Sequence, residues 1–90
     1  MRVALICKDK PGHLQTRLDN RAAHLAHIDA SGVVEMAGPF LSPEGQMTGS
    51  LVVLNVDGLK AAQDWAAADP YAKAGLFESV TISEWKKVIG

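Results

Sequence analysis

Two short runs in this chain, Val3-Ala4-Leu5-Ile6-Cys7 and Leu51-Val52-Val53-Leu54, are apolar at every position. Successive side chains of a strand point to opposite faces, so a strand with no polar alternate needs cover on both sides. Each run therefore predicts a strand at the centre of a sheet. The rest of the chain has to be arranged around these two.

The first run, residues 3–7, is closed by a charged Pro-Gly turn at Lys8-Asp9-Lys10-Pro11-Gly12. From 13 to 30 the period becomes helical, and on a wheel of about 100° per residue Leu14, Leu18, Ala22, Leu25 and Ile28 share one face. That face is expected to pack on the sheet. Ser31-Gly32 supplies the stop, glycine being the residue that accepts a left-handed cap. Strands are predicted over 33–41 and 48–56, joined by the loop Ser42-Pro43-Glu44-Gly45, with Gly38-Pro39 expected to kink the first or end its ladder early. Asp57 is the predicted N-cap of a second helix over 58–68, where Leu59, Ala62, Trp65 and Ala66 recur at helical spacing. Residues 77–87 alternate as a last strand, Val80 and Ile82 against Ser79, Thr81 and Ser83.

The order β-α-β-β-α-β is that of a ferredoxin-like α+β fold: a four-stranded antiparallel sheet with two helices on one face and the first and third strands central. Ninety residues are expected to form one domain, 1–90, around one core. Two helices cover only one face of the sheet. The other apolar face predicts a second copy of the chain, in a homodimer or a larger even oligomer.

Several function classes drop out on composition. The formal charge is −1, and the nine Lys and Arg are scattered apart from Lys86-Lys87, so no basic stripe marks a nucleic-acid surface. No run approaches the roughly 20 apolar residues of a membrane span, and the short N-terminal apolar run does not make a secretory leader, so a cytoplasmic protein is expected. Cys7 is the only cysteine, which rules out an internal disulfide and reads as a small core residue. There is no Gly-rich nucleotide loop and no serine nucleophile elbow.

Chemistry concentrates in two places. Arg17, Arg21 and His24 form a stripe on the first helix, roughly 80° from the centre of its apolar face, on the border where a cleft wall belongs. His27 lies about 80° further toward solvent on the same wheel and His13 marks the helix start. Far along the chain, Asp69-Pro70-Tyr71 stands alone. Asp69 reads as the N-cap of a short turn with Pro70 as its first residue, and a carboxylate held in that way is also suited to orient an imidazole. Arg17 and Arg21 have an alternative as ordinary surface cations. His24 and His27, without Cys or Glu at ligand spacing, do not make a zinc site.

Five segments in this order, Arg17-x-x-x-Arg21-x-x-His24-Leu25, Ala37-Gly38-Pro39-Phe40, Thr48-Gly49-Ser50-Leu51, Asp69-Pro70-Tyr71-x-x-x-Gly75-Leu76-Phe77 and Trp85-Lys86-Lys87-Val88, resemble the YciI-related family over nearly the whole chain. The resemblance implies a dimeric α+β barrel with a His/Asp-centred pocket between helix and sheet. By position it makes His24 and Asp69 the catalytic pair and Arg17, Arg21, Gly38 and Ser50 pocket residues. His27, three residues beyond His24, departs from what the resemblance fixes and is taken as a further candidate for substrate binding. It also implies proton transfer on a small oxygenated ring without a cofactor, since similar proteins include a dehydrochlorinase of a chlorinated hydroxyhydroquinone. The function expected is therefore a cofactor-independent lyase or isomerase of a hydroxylated or chlorinated aromatic ring. The alternative is a non-catalytic small-molecule-binding or regulatory module.

Overall fold

The computed structural model describes residues 1–90. The chain runs β1 (Arg2–Asp9), α1 (Leu14–Ser31), β2 (Val34–Leu41), β3 (Met47–Asn55), α2 (Leu59–Ala68), α3 (Pro70–Lys73) and β4 (Phe77–Trp85). The strands form one antiparallel sheet in the order β2-β3-β1-β4, so the two wholly apolar runs lie in its two central strands. This is a ferredoxin-like α+β fold with the helices packed on one side. The register sets Leu5 opposite Val52 and Ile82, and Ile6 opposite Leu51 and Thr81. Odd-numbered residues of β1 therefore face the helices and even-numbered ones face away.

The core lies under α2. Val3, Leu5 and Cys7 of β1 and Val52 and Leu54 of β3 pack with Ala62 and Trp65, and each is nearly or wholly removed from water. Trp65 Nε1–H donates to Ser31 Oγ at 2.9 Å, which ties α2 to the end of α1. Gly32 stops α1 with φ 67°, the left-handed cap expected of it. Gly49 serves a different need: a Cβ there would collide with the carbonyl oxygen of Cys7 on the neighbouring strand.

The expected inward face of α1 is corrected by the structure. Leu14, Leu18 and Leu25 remain 37%, 47% and 42% exposed, whereas Arg17 and His24 are buried. The helix is turned so that positions 17, 21, 24 and 28 look toward the sheet. The reason is electrostatic: a buried guanidinium and imidazole are tolerated where carboxylates meet them, and Asp9 and Asp69 lie beneath this stripe. Apolar periodicity alone did not register that pairing.

Three smaller expectations also change. Asp57 caps nothing; Gly58 occupies the N-cap of α2 without a side-chain hydrogen bond. Gly38-Pro39 does not end β2, because β2 is an edge strand whose proline need not donate into a ladder, and pairing continues through Gly38↔Leu51 and Pro39↔Ser50 before the register shifts at Phe40/Leu41. The last strand stops at Trp85, leaving Lys86 and Lys87 outside it.

The candidate active site

Asp69 is placed by local rules. It ends α2 and is the N-cap of α3, with Pro70 at the first helical position and its side chain accepting from the Tyr71 backbone N–H at 3.0 Å. The same oxygen, Oδ1, meets Nδ1 of His24 at 2.8 Å. A carboxylate acceptor requires Nδ1 to carry the hydrogen, so Nε2 is left as the ring's other nitrogen with its lone pair free. The cap holds the carboxylate, and the carboxylate holds the imidazole. Tyr71 completes the arrangement by stacking on the His24 ring, centroids 4.0 Å apart and planes 14° from parallel, while Phe77 meets Tyr71 edge-on at 6.0 Å.

Arg17 is fixed as firmly. Its Nε and Nη2 donate to the two oxygens of Asp9 at 2.7 and 2.8 Å, a bidentate pair, and Nη2 also donates to Ser50 Oγ at 3.0 Å. The guanidinium carbon sits 4.8 Å from the Tyr71 ring centroid. Burial works against the charge on Arg17, but hydrogen bonding and charge attraction from Asp9 outweigh it and hold its pKa above the ordinary value. Burial raises the Tyr71 phenol, opposed by the positive charges of Arg17 and Arg21. Burial, and then the negative charge of Asp69, push the Cys7 thiol up to about 12, so it is not a nucleophile at neutral pH.

Between α1 and the β2–β3 part of the sheet is a cavity of about 170 Å³. An apolar cavity of about 150 Å³ holds a benzene ring, so the space fits one small substituted ring. Arg17, Arg21, His24, Ser50 and Tyr71 form its polar wall, and Leu25, Ile28, Ala37, Pro39, Met47 and Val52 most of the rest, with Gly38 completing the β2 side. His24, Arg17, Arg21, Ser50 and Gly38 thus share one cavity, with Asp69 directly behind His24.

His27 is not among them. Its Nε2 lies 3.1 Å from the Trp65 carbonyl oxygen and its ring packs on the Trp65 indole at 4.5 Å. It is half-buried between the two helices rather than turned to solvent or to the cavity, because α1 is rotated from the orientation the leucines suggest. No three His, Cys, Asp or Glu side chains converge as metal ligands do.

Two residues of the site escaped the sequence reading. Asp9 looks like part of a charged turn, yet strand alternation puts it on the same face as Val3, Leu5 and Cys7, a signal that was available. Tyr71 was visible only as the end of a capping motif, and its contact with a helix fifty residues earlier has no local signature.

In this chain a ferredoxin-like sheet carries a buried His–Asp pair and an Arg–Ser pair around a ring-sized cavity. The fold sets the class, that of small α+β proteins built on such a sheet. The chain belongs within it to the YCII-related domain family, whose model matches residues 1–86. It is 37% identical to Protein YciI of Escherichia coli O6:H1 strain CFT073, over 98% of this chain and 99% of that one. An uncharacterized protein of Haemophilus influenzae is 36% identical with the same coverage. Among solved structures, the 5-chloro-2-hydroxyhydroquinone dehydrochlorinase of Burkholderia phenoliruptrix AC1100, in complex with 2,5-dihydroxybenzoquinone, superposes with a TM-score of 0.89 at 34% identity, covering 96% of this chain and 94% of that one.

Proposed function

We propose that the protein is a cofactor-independent lyase or isomerase acting on a small hydroxylated aromatic ring, chlorinated in the dehydrochlorinase-like case. The observation that carries this reading is the single carboxylate oxygen of Asp69, which caps α3 and fixes the His24 tautomer at the wall of a ring-sized cavity. The likeness to a dehydrochlorinase over nearly the whole chain supports it.

In this mechanism His24 Nε2 takes a phenolic proton from the substrate. Imidazole suits the task because its ordinary titration range lies close to neutral pH. Asp69 stabilises the imidazolium that forms and keeps the ring aligned. The oxyanion that develops is met by Arg17 and Ser50, already held in place by Asp9 and by each other, so no reorganisation is needed when the charge appears. The electrons left on oxygen move into the ring. In elimination the proton on Nε2 is delivered to the ring carbon that bears chlorine, which becomes tetrahedral, and loss of a second phenolic proton to Nε2 then expels chloride. The substrate has lost one proton and one chloride in all and leaves as a quinone. In isomerisation the proton returns to a ring carbon. Ser50 and Gly38 close the sheet side of the cavity.

Positioned acid–base catalysis is worth about 10²–10⁴ in rate, and His24→Ala should lose that factor in turnover of chlorinated hydroxyhydroquinones, followed by chloride release and absorbance. Full turnover by His24→Ala would end the proposal. Saturable binding of the ring compounds without turnover by the native protein would assign the non-catalytic binding module instead.

The working form is a homodimer or a larger even oligomer of cytoplasmic chains. The sheet face away from the helices presents Ile6, Met36 and Phe40, 47%, 48% and 41% exposed, beside Leu51. Met36, Gly38, Phe40 and Leu51 line an apolar groove there, and Ala37, Gly38 and Pro39 border both that groove and the cavity. A second copy seated on this face would adjoin the β2 wall of the site.

A further inference from the structure

Every charge that borders the cavity has a partner except one. Arg17 is bound by both oxygens of Asp9, and His24 is bound by Asp69. Arg21 lines the same cavity and makes no ion pair or hydrogen bond with any side chain. The helix gives it no counter-ion: its neighbours one turn away are Arg17, Leu18, His24 and Leu25, and the nearest acid along the chain, Asp19, is held by Gln15 at 2.8 Å. The residues of β2 and β3 that line the cavity, Ala37, Gly38, Pro39, Met47, Ser50 and Val52, carry no charge to pair with it.

We propose that Arg21 is a specificity-determining residue that binds an acidic substituent, a carboxylate or a second ionised oxygen, on the ring compound the cavity takes. The inference rests on the reading of the cavity as a site for a small hydroxylated ring and adds the charge class of that ring. Spacing supports it. Arg21 lies four residues beyond Arg17, about 6 Å along the helix axis, which is close to the distance between groups on opposite sides of a benzene ring. A ring whose oxyanion meets Arg17 and Ser50 thereby places its far substituent under Arg21, with His24 one turn further on. Arg21 is close enough to the interior to counter the rise of the Tyr71 phenol, so its field reaches into the cavity although its side chain is exposed. The planar guanidinium also matches a carboxylate in two parallel hydrogen bonds, which a lysine cannot reproduce.

The test compares two probes that differ by one carboxylate opposite the hydroxyl, phenol and 4-hydroxybenzoate, titrated calorimetrically into the native protein, Arg21→Gln and Arg21→Lys. In the native protein the carboxylated probe should bind roughly three- to fivefold tighter, the scale of a partly exposed ion pair, with the advantage shrinking as salt is added. In Arg21→Gln the ratio of the two affinities should fall to about one, and Arg21→Lys should keep an intermediate ratio. Equal affinities in the native protein, or a ratio that survives Arg21→Gln, overturn the acid subsite while leaving the ring reading intact. Failure of both probes to bind the native protein overturns the ring reading and the subsite with it.

Discussion

Asp69 shows how one residue serves structure and site together, and its two roles separate by substitution. Asparagine is as good an N-cap as aspartate, so Asp69→Asn keeps the cap on α3 while removing the negative charge beside His24. Turnover should fall by about 10²–10⁴ with the melting temperature nearly unchanged, because the imidazolium loses its stabilising partner. Asp69→Ala should lose the activity and in addition about 1 kcal/mol of stability as the cap goes. Equal losses of stability in the two variants would show that the cap is not what holds this carboxylate. Cys7 is the opposite case, a reactive residue type made inert by its surroundings. With the folded thiol raised to about 12 from an ordinary 9.0, Cys7 should resist a thiol reagent at pH 8 in the native protein and react promptly in urea. The unfolded chain releases that proton once the pH passes 9.0 while the folded chain retains it, so stability falls as pH rises through this window. The raised Tyr71 phenol acts in the same direction at higher pH. Cys7→Ala should therefore reduce the alkaline loss of stability without abolishing it, a comparison that urea melts at pH 8 and pH 10.5 would make.

At the level of elements, α1 is held over the cavity by polar ties where an ordinary helix of this length would use an apolar face. Arg17 to Asp9 joins it to the end of β1, His24 to Asp69 joins it to α3, and His27 and Ser31 join it to Trp65 of α2. Such ties set spacing as well as attachment, since long polar side chains keep the helix backbone off the sheet and leave the ring-sized cavity beneath. The arrangement carries a risk. Arg17 and Asp9 are both almost wholly buried, with side chains 3% and 7% exposed, and a charge stranded there has no water to turn to. Asp9→Ala should destabilise the protein by about 3–5 kcal/mol in urea melts, chiefly through the unpaired guanidinium. The double variant Asp9→Ala/Arg17→Met should recover most of that loss, and a double variant as unstable as the single one would locate the cost elsewhere.

On the scale of the whole molecule, the sheet has one face sealed by helices and one left to water. The central strands place Ile6 and Leu51 side by side on the open face, flanked by Met36 and Phe40 of the β2 edge strand. Contiguous apolar surface of this kind on a small protein marks an interface. Light scattering at micromolar concentration should give twice the mass of one chain or a larger even multiple. Leu51→Asp should convert that species to monomers while the helix-side core, which Leu51 does not touch, keeps the chain folded. A native protein that scatters as a monomer would leave the apolar face without the partner proposed for it.

The fold was legible because it rests on periodicity. Two all-apolar runs, one long helical stretch and a Gly-Pro punctuated hairpin determine element order, and the order admits few topologies. The polar stripe of α1 was also legible, since Arg17, Arg21 and His24 recur at helical spacing, and the cap at Asp69 follows from Pro70 beside it. Which face of α1 turns inward was not. The wheel weighs apolar surface, and the leucines outvote two arginines and a histidine until Asp9 and Asp69 are known to lie beneath them. Those acids stand 8 residues before Arg17 and 45 residues after His24. Only the folded chain brings them within hydrogen-bond distance. The same rotation of the helix brings His27, which the wheel sets toward solvent, onto Trp65. Local sequence thus determined what each element is and which residues are chemically capable, whereas the pairing of buried charges across the chain decided how α1 sits, and with it the shape of the site.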